Sequence, residues 1–100
     1  METFSFTYPA GKQIKQRSHV GVVGSGDLEI LIEPGTGNQT EFVVRTASDG
    51  FRDTWNAVFI RFTALNDIKA KIIINDFGAT PGVVSLRLAQ ALEIANQKNN

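Results

Sequence analysis

The spacing of apolar residues changes partway along the chain, and that change constrains the fold more than any single motif. Before Ser48 apolar residues recur at every second position; after Phe51 they recur at every third or fourth. The first spacing lines one face of a strand, the second one face of a helix. Residues 2–8 set Phe4, Phe6 and Tyr8 against Thr3, Ser5 and Thr7, the pattern of a half-buried strand, and Pro9-Ala10-Gly11 stops it. Glu41 to Ser48 repeats the pattern, with Phe42, Val44 and Thr46 opposed to Val43, Arg45 and Ala47. Asp49-Gly50 ends that strand. From Phe51 to Leu65 the residues Phe51, Trp55, Val58, Phe59, Phe62 and Leu65 form one aromatic-rich helix face, with Arg52, Asp53, Asn56 and Arg61 away from it. Such a stripe is core rather than cofactor pocket.

The run Ala70-Lys71-Ile72-Ile73-Ile74-Asn75 reads as an interior strand covered on both faces. Thr80 is a suitable N-cap and Pro81 a suitable first residue for a helix reaching about Asn96, with Val84, Leu88, Ala91, Leu92 and Ala95 on one side. Four or five strands, then helix, strand and helix, predict an α+β fold: an antiparallel or mixed sheet with two helices packed on one face. Trp55, Phe59, Phe62, Leu88 and Leu92 are the expected core. With 100 residues, no internal repeat and no break in composition, 1–100 reads as a single domain.

Composition narrows the function by exclusion. The formal net charge is zero, which argues against a nucleic-acid binder that works by neutralising phosphates. No apolar run approaches a membrane span and METFSFTYPAG is no signal peptide, so a cytoplasmic chain is expected. Cysteine is absent, which removes disulfides, thiolate metal sites and any internal thiol nucleophile. The single histidine, His19, cannot build a zinc site or a triad alone and reads as a strand or loop residue. No metal site and no catalytic residue is expected.

One stretch has the right shape for chemistry. Val20-Gly21-Val22-Val23 and Leu28-Glu29-Ile30-Leu31-Ile32 flank Gly24-Ser25-Gly26-Asp27, which reads as a hairpin or tight strand–strand turn with Ser25 at its tip. Flanking glycines leave that hydroxyl unhindered. A turn with no chemistry accounts for the same four residues. The motif is neither a phosphate-binding loop nor a nucleophile elbow. Asp27 and Glu29 are expected on opposite faces rather than as a carboxylate pair, and Asp27 is expected to hold the turn through a side-chain-to-backbone bond. Lys12, Lys15 and Arg17 precede the stretch without an acidic neighbour. They read as a solvated loop or strand edge, and as a weak anion-facing segment near Ser25 in the functional alternative. Asp76-Phe77-Gly78 matches the kinase magnesium motif in letters only, in a chain too short for a kinase. The amides of Thr80-Pro81-Gly82-Val83 can receive an anion at a helix start, although proline removes one donor.

Two blocks carry a resemblance. Val20 through Pro34, VGVVGSGDLEILIEP, and Asn75 through Val84, NDFGATPGVV, followed by Leu86-Arg87-Leu88, resemble the acyl carrier subunit of malonate decarboxylase. The citrate lyase acyl carrier protein is a more distant likeness. The match follows nearly the whole chain in order, least distinctively from Gln39 to Lys71. It implies a non-catalytic carrier subunit whose Ser25, framed by Gly24, Gly26 and Asp27, bears 2′-(5″-phosphoribosyl)-3′-dephospho-CoA through a phosphodiester. It also implies acetyl and malonyl thioesters on that arm, and as partners the acyl transferase and decarboxylase subunits and a prosthetic-group transferase. Ordinary acyl carriers are acidic four-helix bundles with Asp-Ser-Leu at a helix start, and this strand-rich, uncharged chain departs from them. The alternative from another class is a small regulatory or scaffolding domain that binds an anionic ligand reversibly through the 24–27 turn and the 80–83 helix start.

Overall fold

The computed structural model describes residues 1–21 and 27–97. Its elements follow the change of period: β1 Glu2–Pro9, β2 Ser18–Gly21, β3 Leu28–Pro34, β4 Gln39–Thr46, α1 Arg52–Leu65, β5 Ala70–Asp76 and α2 Pro81–Ala95. The strands form one five-stranded mixed sheet in the order β1-β4-β5-β3-β2. Only β4 and β5 run parallel, joined by the crossover helix α1, as a parallel pair requires. The other pairs are antiparallel. Both helices pack on one face, so the expected α+β architecture is found. Among the described residues, no helix is long and apolar enough to cross a membrane.

β3 and β4 are consecutive but not neighbours, because β5 lies between them. The connection after Pro34 therefore passes over the start of β5, where the Gly35 amide donates to the Lys69 carbonyl at 3.1 Å. A Cβ on Gly35 would stand 2.9 Å from the Ala70 nitrogen, so this crossing needs a glycine. The longer connection from β1 to β2 crosses the same end of the sheet. It buries Ile14, and the Lys15 and Gln16 amides donate to the Ala95 carbonyl at 3.2 and 3.0 Å.

The core lies between the sheet and the helices. Leu28, Ile30, Ile32, Phe42, Val44, Ile72 and Ile74 are buried on the inner face against Phe59, Leu88, Ala91 and Ala95. Phe42 and Phe59 stack with ring centroids 3.9 Å apart and planes 12° apart. Phe6, Tyr8, Phe62 and Trp55 surround the pair at 5.6 to 6.2 Å, mostly edge-on. Trp55, Phe59 and Leu88 are buried as expected, whereas Phe62 and Leu92 are only half-buried at the margin of the two-helix layer. The ends of the predicted stripe are corrected too. Phe51 is 51% exposed and Leu65 81% exposed, because α1 overhangs the sheet at both termini. Arg52 and Asn56, expected to point away, meet β1 instead. The Arg52 guanidinium lies 4.9 Å from the Phe6 ring centroid, and Asn56 Oδ1 accepts from the Tyr8 hydroxyl at 2.6 Å.

The expectation that β5 is covered on both faces is also corrected. Ile72 and Ile74 are buried, but Lys71 is exposed and Ile73 and Asn75 are half-buried, because none of the described residues packs over the outer face. Three isoleucines in a row obscured the alternation that the structure shows. On that outer face Glu29 accepts from Asn75 Nδ2 at 2.9 Å and lies 2.9 Å from His19 Nε2. His19 is thus a strand residue in β2. These bonds, His19 first and Asn75 second, hold the Glu29 carboxyl below its ordinary range.

Phe59→Ala removes the ring at the centre of the aromatic cluster and should cost about 3–5 kcal/mol in urea unfolding. Leu65→Ala, on the same helix but exposed, should stay within about 0.5 kcal/mol of wild type. Equal losses would contradict the assignment of the core.

Candidate functional site

The expected hairpin is present in its two strands. β2 pairs with β3 from Ser18↔Ile32 to Gly21↔Glu29, and the segment that joins them holds Gly24, Ser25 and Gly26. Those three residues lie outside the described residues, but both ends of the segment, Gly21 and Asp27, are described. Gly21 has φ +93°, and a Cβ there would fall 2.0 Å from the Leu28 carbonyl oxygen across the ladder. Only glycine fits that position.

Asp27 closes the other end. Its Oδ1 accepts from the Leu28 amide at 2.7 Å, which is the side-chain-to-backbone bond expected for it. Its Oδ2 accepts from Arg87 Nη2 at 3.0 Å, and Arg87 Nε approaches Oδ1 at 3.4 Å. Arg87 Nη1 also donates to Gln90 at 3.2 Å on the next turn of α2. The Leu28 amide first and the Arg87 side chain second hold the Asp27 carboxyl below the ordinary carboxylate range. The arginine went unassigned in sequence reasoning; the one signal was a lone cation among the apolar residues of α2. Asp27 and Glu29 do fall on opposite sides, but not by strand alternation, which sets residues two apart on the same face. Asp27 turns toward α2 because it precedes β3, and Glu29 joins the outer face.

The Asp27 carbonyl accepts from the Phe77 amide at 2.9 Å, which ties the hairpin to the turn between β5 and α2. In that turn Asp76 is buried. Its Oδ2 accepts from the Thr46 hydroxyl at 2.8 Å, and its Oδ1 from the Ala79 amide at 2.9 Å and the Gly78 amide at 3.3 Å. Asp-Phe-Gly here closes a turn. Thr80 caps α2 by accepting from the Val83 amide at 3.3 Å, and Pro81 has no donor. Of the three amides in the stretch read from sequence as an anion seat, that of Val83 is therefore committed to the cap, which weakens the reversible-ligand alternative. A cleft of about 390 Å³ opens beside this turn, past the carboxyl ends of β4 and β5 and between the first turns of α1 and α2.

Lys12, Lys15 and Arg17 do not approach this end. β2 runs from Ser18 toward the hairpin, and Lys15 lies against the carboxyl end of α2, so the basic segment occupies the opposite end of the sheet. Its reading as an anion-facing partner of Ser25 is corrected by that topology, and the solvated loop remains. Among the described residues, no group of three or more His, Cys, Asp or Glu side chains is placed to hold a metal ion.

The acyl carrier family model described as malonate decarboxylase delta subunit (MdcD) matches residues 15–95. The chain belongs to this family. It is 50% identical over 94 residues to the malonate decarboxylase acyl carrier protein of Azotobacter vinelandii, covering 93% of this chain and 95% of that protein. It is 50% identical over 96 residues to the protein of the same name from Pseudomonas aeruginosa strain UCBPP-PA14, covering 95% and 97%. In the crystal structure of a Pseudomonas malonate decarboxylase hetero-tetramer in complex with malonate, one chain matches with TM-score 0.90 and 47% identity, over 95% of this chain and 99% of that one. The malonate decarboxylase carrier resemblance is thus established across nearly the whole chain. These relatives are named carriers rather than enzymes, and the family fold is a sheet with two helices rather than a helical bundle.

Two measurements test this geometry. Gly21→Ala should lower stability by about 2 kcal/mol or more in urea unfolding, since the methyl meets backbone and φ is positive. For Asp27 the carboxyl titrates lower in the folded chain than in the unfolded one. Its contribution is therefore complete above about pH 4 and is lost as the pH falls through the lowered folded value. Wild type should melt higher than Asp27→Asn at neutral pH, and the gap should close in acid. A gap that widens in acid contradicts the assignment.

Proposed function

We propose that this chain is the acyl carrier subunit of a malonate decarboxylase and carries its prosthetic group on Ser25. Family membership over nearly the full length is the observation that carries this reading. The group is 2′-(5″-phosphoribosyl)-3′-dephospho-CoA, whose thiol holds acetyl or malonyl as a thioester while malonate becomes acetate and CO2. The carrier acts as one domain, 1–100, in the cytoplasm.

The residues present fit such a group. A chain without cysteine needs its thiol from outside. Ser25 stands two residues before Asp27, whose negative charge is offset by Arg87, so a phosphodiester there meets no uncompensated carboxylate from that neighbour. Three of the other four serines are less suited. The Ser18 hydroxyl is buried and donates to the Ala91 carbonyl at 2.8 Å, and Ser5 and Ser85 lie within β1 and α2. Gly24 and Gly26 keep the hydroxyl approachable, and Asp27 with Arg87 fixes the segment's exit against α2.

The chain itself tethers. A short flexible link replaces diffusional encounter with an effective concentration on the order of millimolar. Activation of the Ser25 hydroxyl belongs to the prosthetic-group transferase, and acid, base and oxyanion donors belong to the acyl transferase and decarboxylase subunits.

Ser25→Ala should fold like wild type, assemble with its partner subunits and gain no mass when co-expressed with the loading enzymes. The assembled complex should not turn over malonate. An adduct mapped to Ser5, Ser18, Ser48 or Ser85, or turnover by the Ser25→Ala complex, refutes the assignment.

A further inference from the structure

The cleft past the carboxyl ends of β4 and β5 is not used by the attachment chemistry, yet it adjoins the turn that is hydrogen-bonded to Asp27. Phe51, Trp55, Val58, Pro81 and Val84 are its large apolar lining residues, and about 390 Å³ is room for a short chain rather than a whole nucleotide. Its one charged lining residue is Asp76, and both carboxylate oxygens already accept hydrogen bonds from Thr46, Gly78 and Ala79. A further anion placed there faces that carboxylate, whereas an uncharged group does not. Trp55 is 6% exposed and Phe51 51% exposed, so the wall grades from buried to open toward the mouth.

Continuity with the hairpin identifies the occupant. Asp27 is joined to Phe77 by a 2.9 Å hydrogen bond, and the next residues, Gly78, Ala79 and Thr80, line the cleft. Two residues of chain, the separation of Ser25 from Asp27, span at most about 7 Å. A long arm attached there has this cleft within reach at every moment.

We propose that the cleft lined by Phe51, Trp55, Val58 and Val84 receives the uncharged end of the arm, the free thiol or the acetyl thioester, between visits to the partner subunits. This deepens the carrier reading above and rests on it. A fragment of that size binds with an affinity in the millimolar range. The tether supplies an effective concentration of similar order, so the end is seated for about half of the time or more. Occupancy at that level shields the thiol and still releases it to a partner.

The chain supplies its own probes, because Trp55 is its single tryptophan and any thiol on the loaded protein belongs to the arm. Loaded wild type, Thr54→Arg and Val58→Arg are prepared, with intact mass used to verify the arm on each. Thr54 is exposed on the first turns of α1, so its arginine reaches over the mouth without disturbing the core. The thiol of wild type should react with an aromatic disulfide about two- to tenfold more slowly than that of either variant. Trp55 emission should shift between the apo and acetyl-loaded forms of wild type and not of Thr54→Arg. Equal thiol rates in wild type and folded Thr54→Arg, with Trp55 emission unchanged on loading, overturn the cleft assignment and leave the carrier reading standing. Failure of wild type to accept an arm on Ser25 overturns both.

Discussion

The insertion of β5 between β3 and β4 is the constraint on which the rest of the structure depends. Its seven residues pair antiparallel with β3 on one side and parallel with β4 on the other. Without it the sheet would separate into two hairpin-like halves, β1 with β4 and β2 with β3. The register of those pairings sets Asp76 opposite both Leu28 and Thr46, so its carboxylate can take the Thr46 hydroxyl and close the turn into α2. That turn presents the Phe77 amide to Asp27, and α2 presents Arg87 to the same residue. The geometry next to the attachment segment is therefore set by the last strand to leave the ribosome. Among the described residues, no buried side-chain nitrogen or oxygen lacks a hydrogen-bond partner, so the frame leaves no polar group stranded.

The two faces of the sheet divide the work. The inner face is apolar and meets the helices, with the Phe42–Phe59 stack at its centre. The outer face carries Val43, Ile73 and Leu31 in one cross-strand row, bordered by Glu29 with its His19 and Asn75 partners. A single layer of helices suffices to exclude water from the inner face of a sheet this small, and it leaves the outer face partly open. Gly21, Asp27 and the cleft are at one end of the strands, while the long β1–β2 connection and its basic residues occupy the other.

A carrier must hold its cargo without reacting with it. Among the described residues, three carboxylates at this end of the sheet are already committed, Asp27 to Leu28 and Arg87, Glu29 to His19 and Asn75, and Asp76 to Thr46 and the Gly78–Ala79 amides. The hydrogen bonds that lower the Asp27 carboxyl also occupy its oxygens, and both effects make it a poor general base. The same bonds serve as mechanical anchors for the ends of the segment. Chemical quietness and positional order thus come from one set of contacts.

The sequence by itself determined the element types, the inward-facing residues of β1 and β4, the cap and proline that start α2, and the serine between glycines. These are local properties: spacing, turn chemistry and capping depend on neighbours within a few residues. The absence of cysteine and the family motifs were equally plain from the chain. The tertiary structure alone decided that β5 is central but covered on one face, that Phe51 and Leu65 overhang the core, and that the basic segment lies at the end of the sheet opposite Gly21 and Asp27. It alone brought Arg87 to Asp27 across a separation of 60 residues, and it exposed the demand on Gly21, whose missing side chain matters only because Leu28 passes beside it. Each of these depends on strand order and register, and those are set by which apolar faces bury together across the whole chain rather than by any window of it.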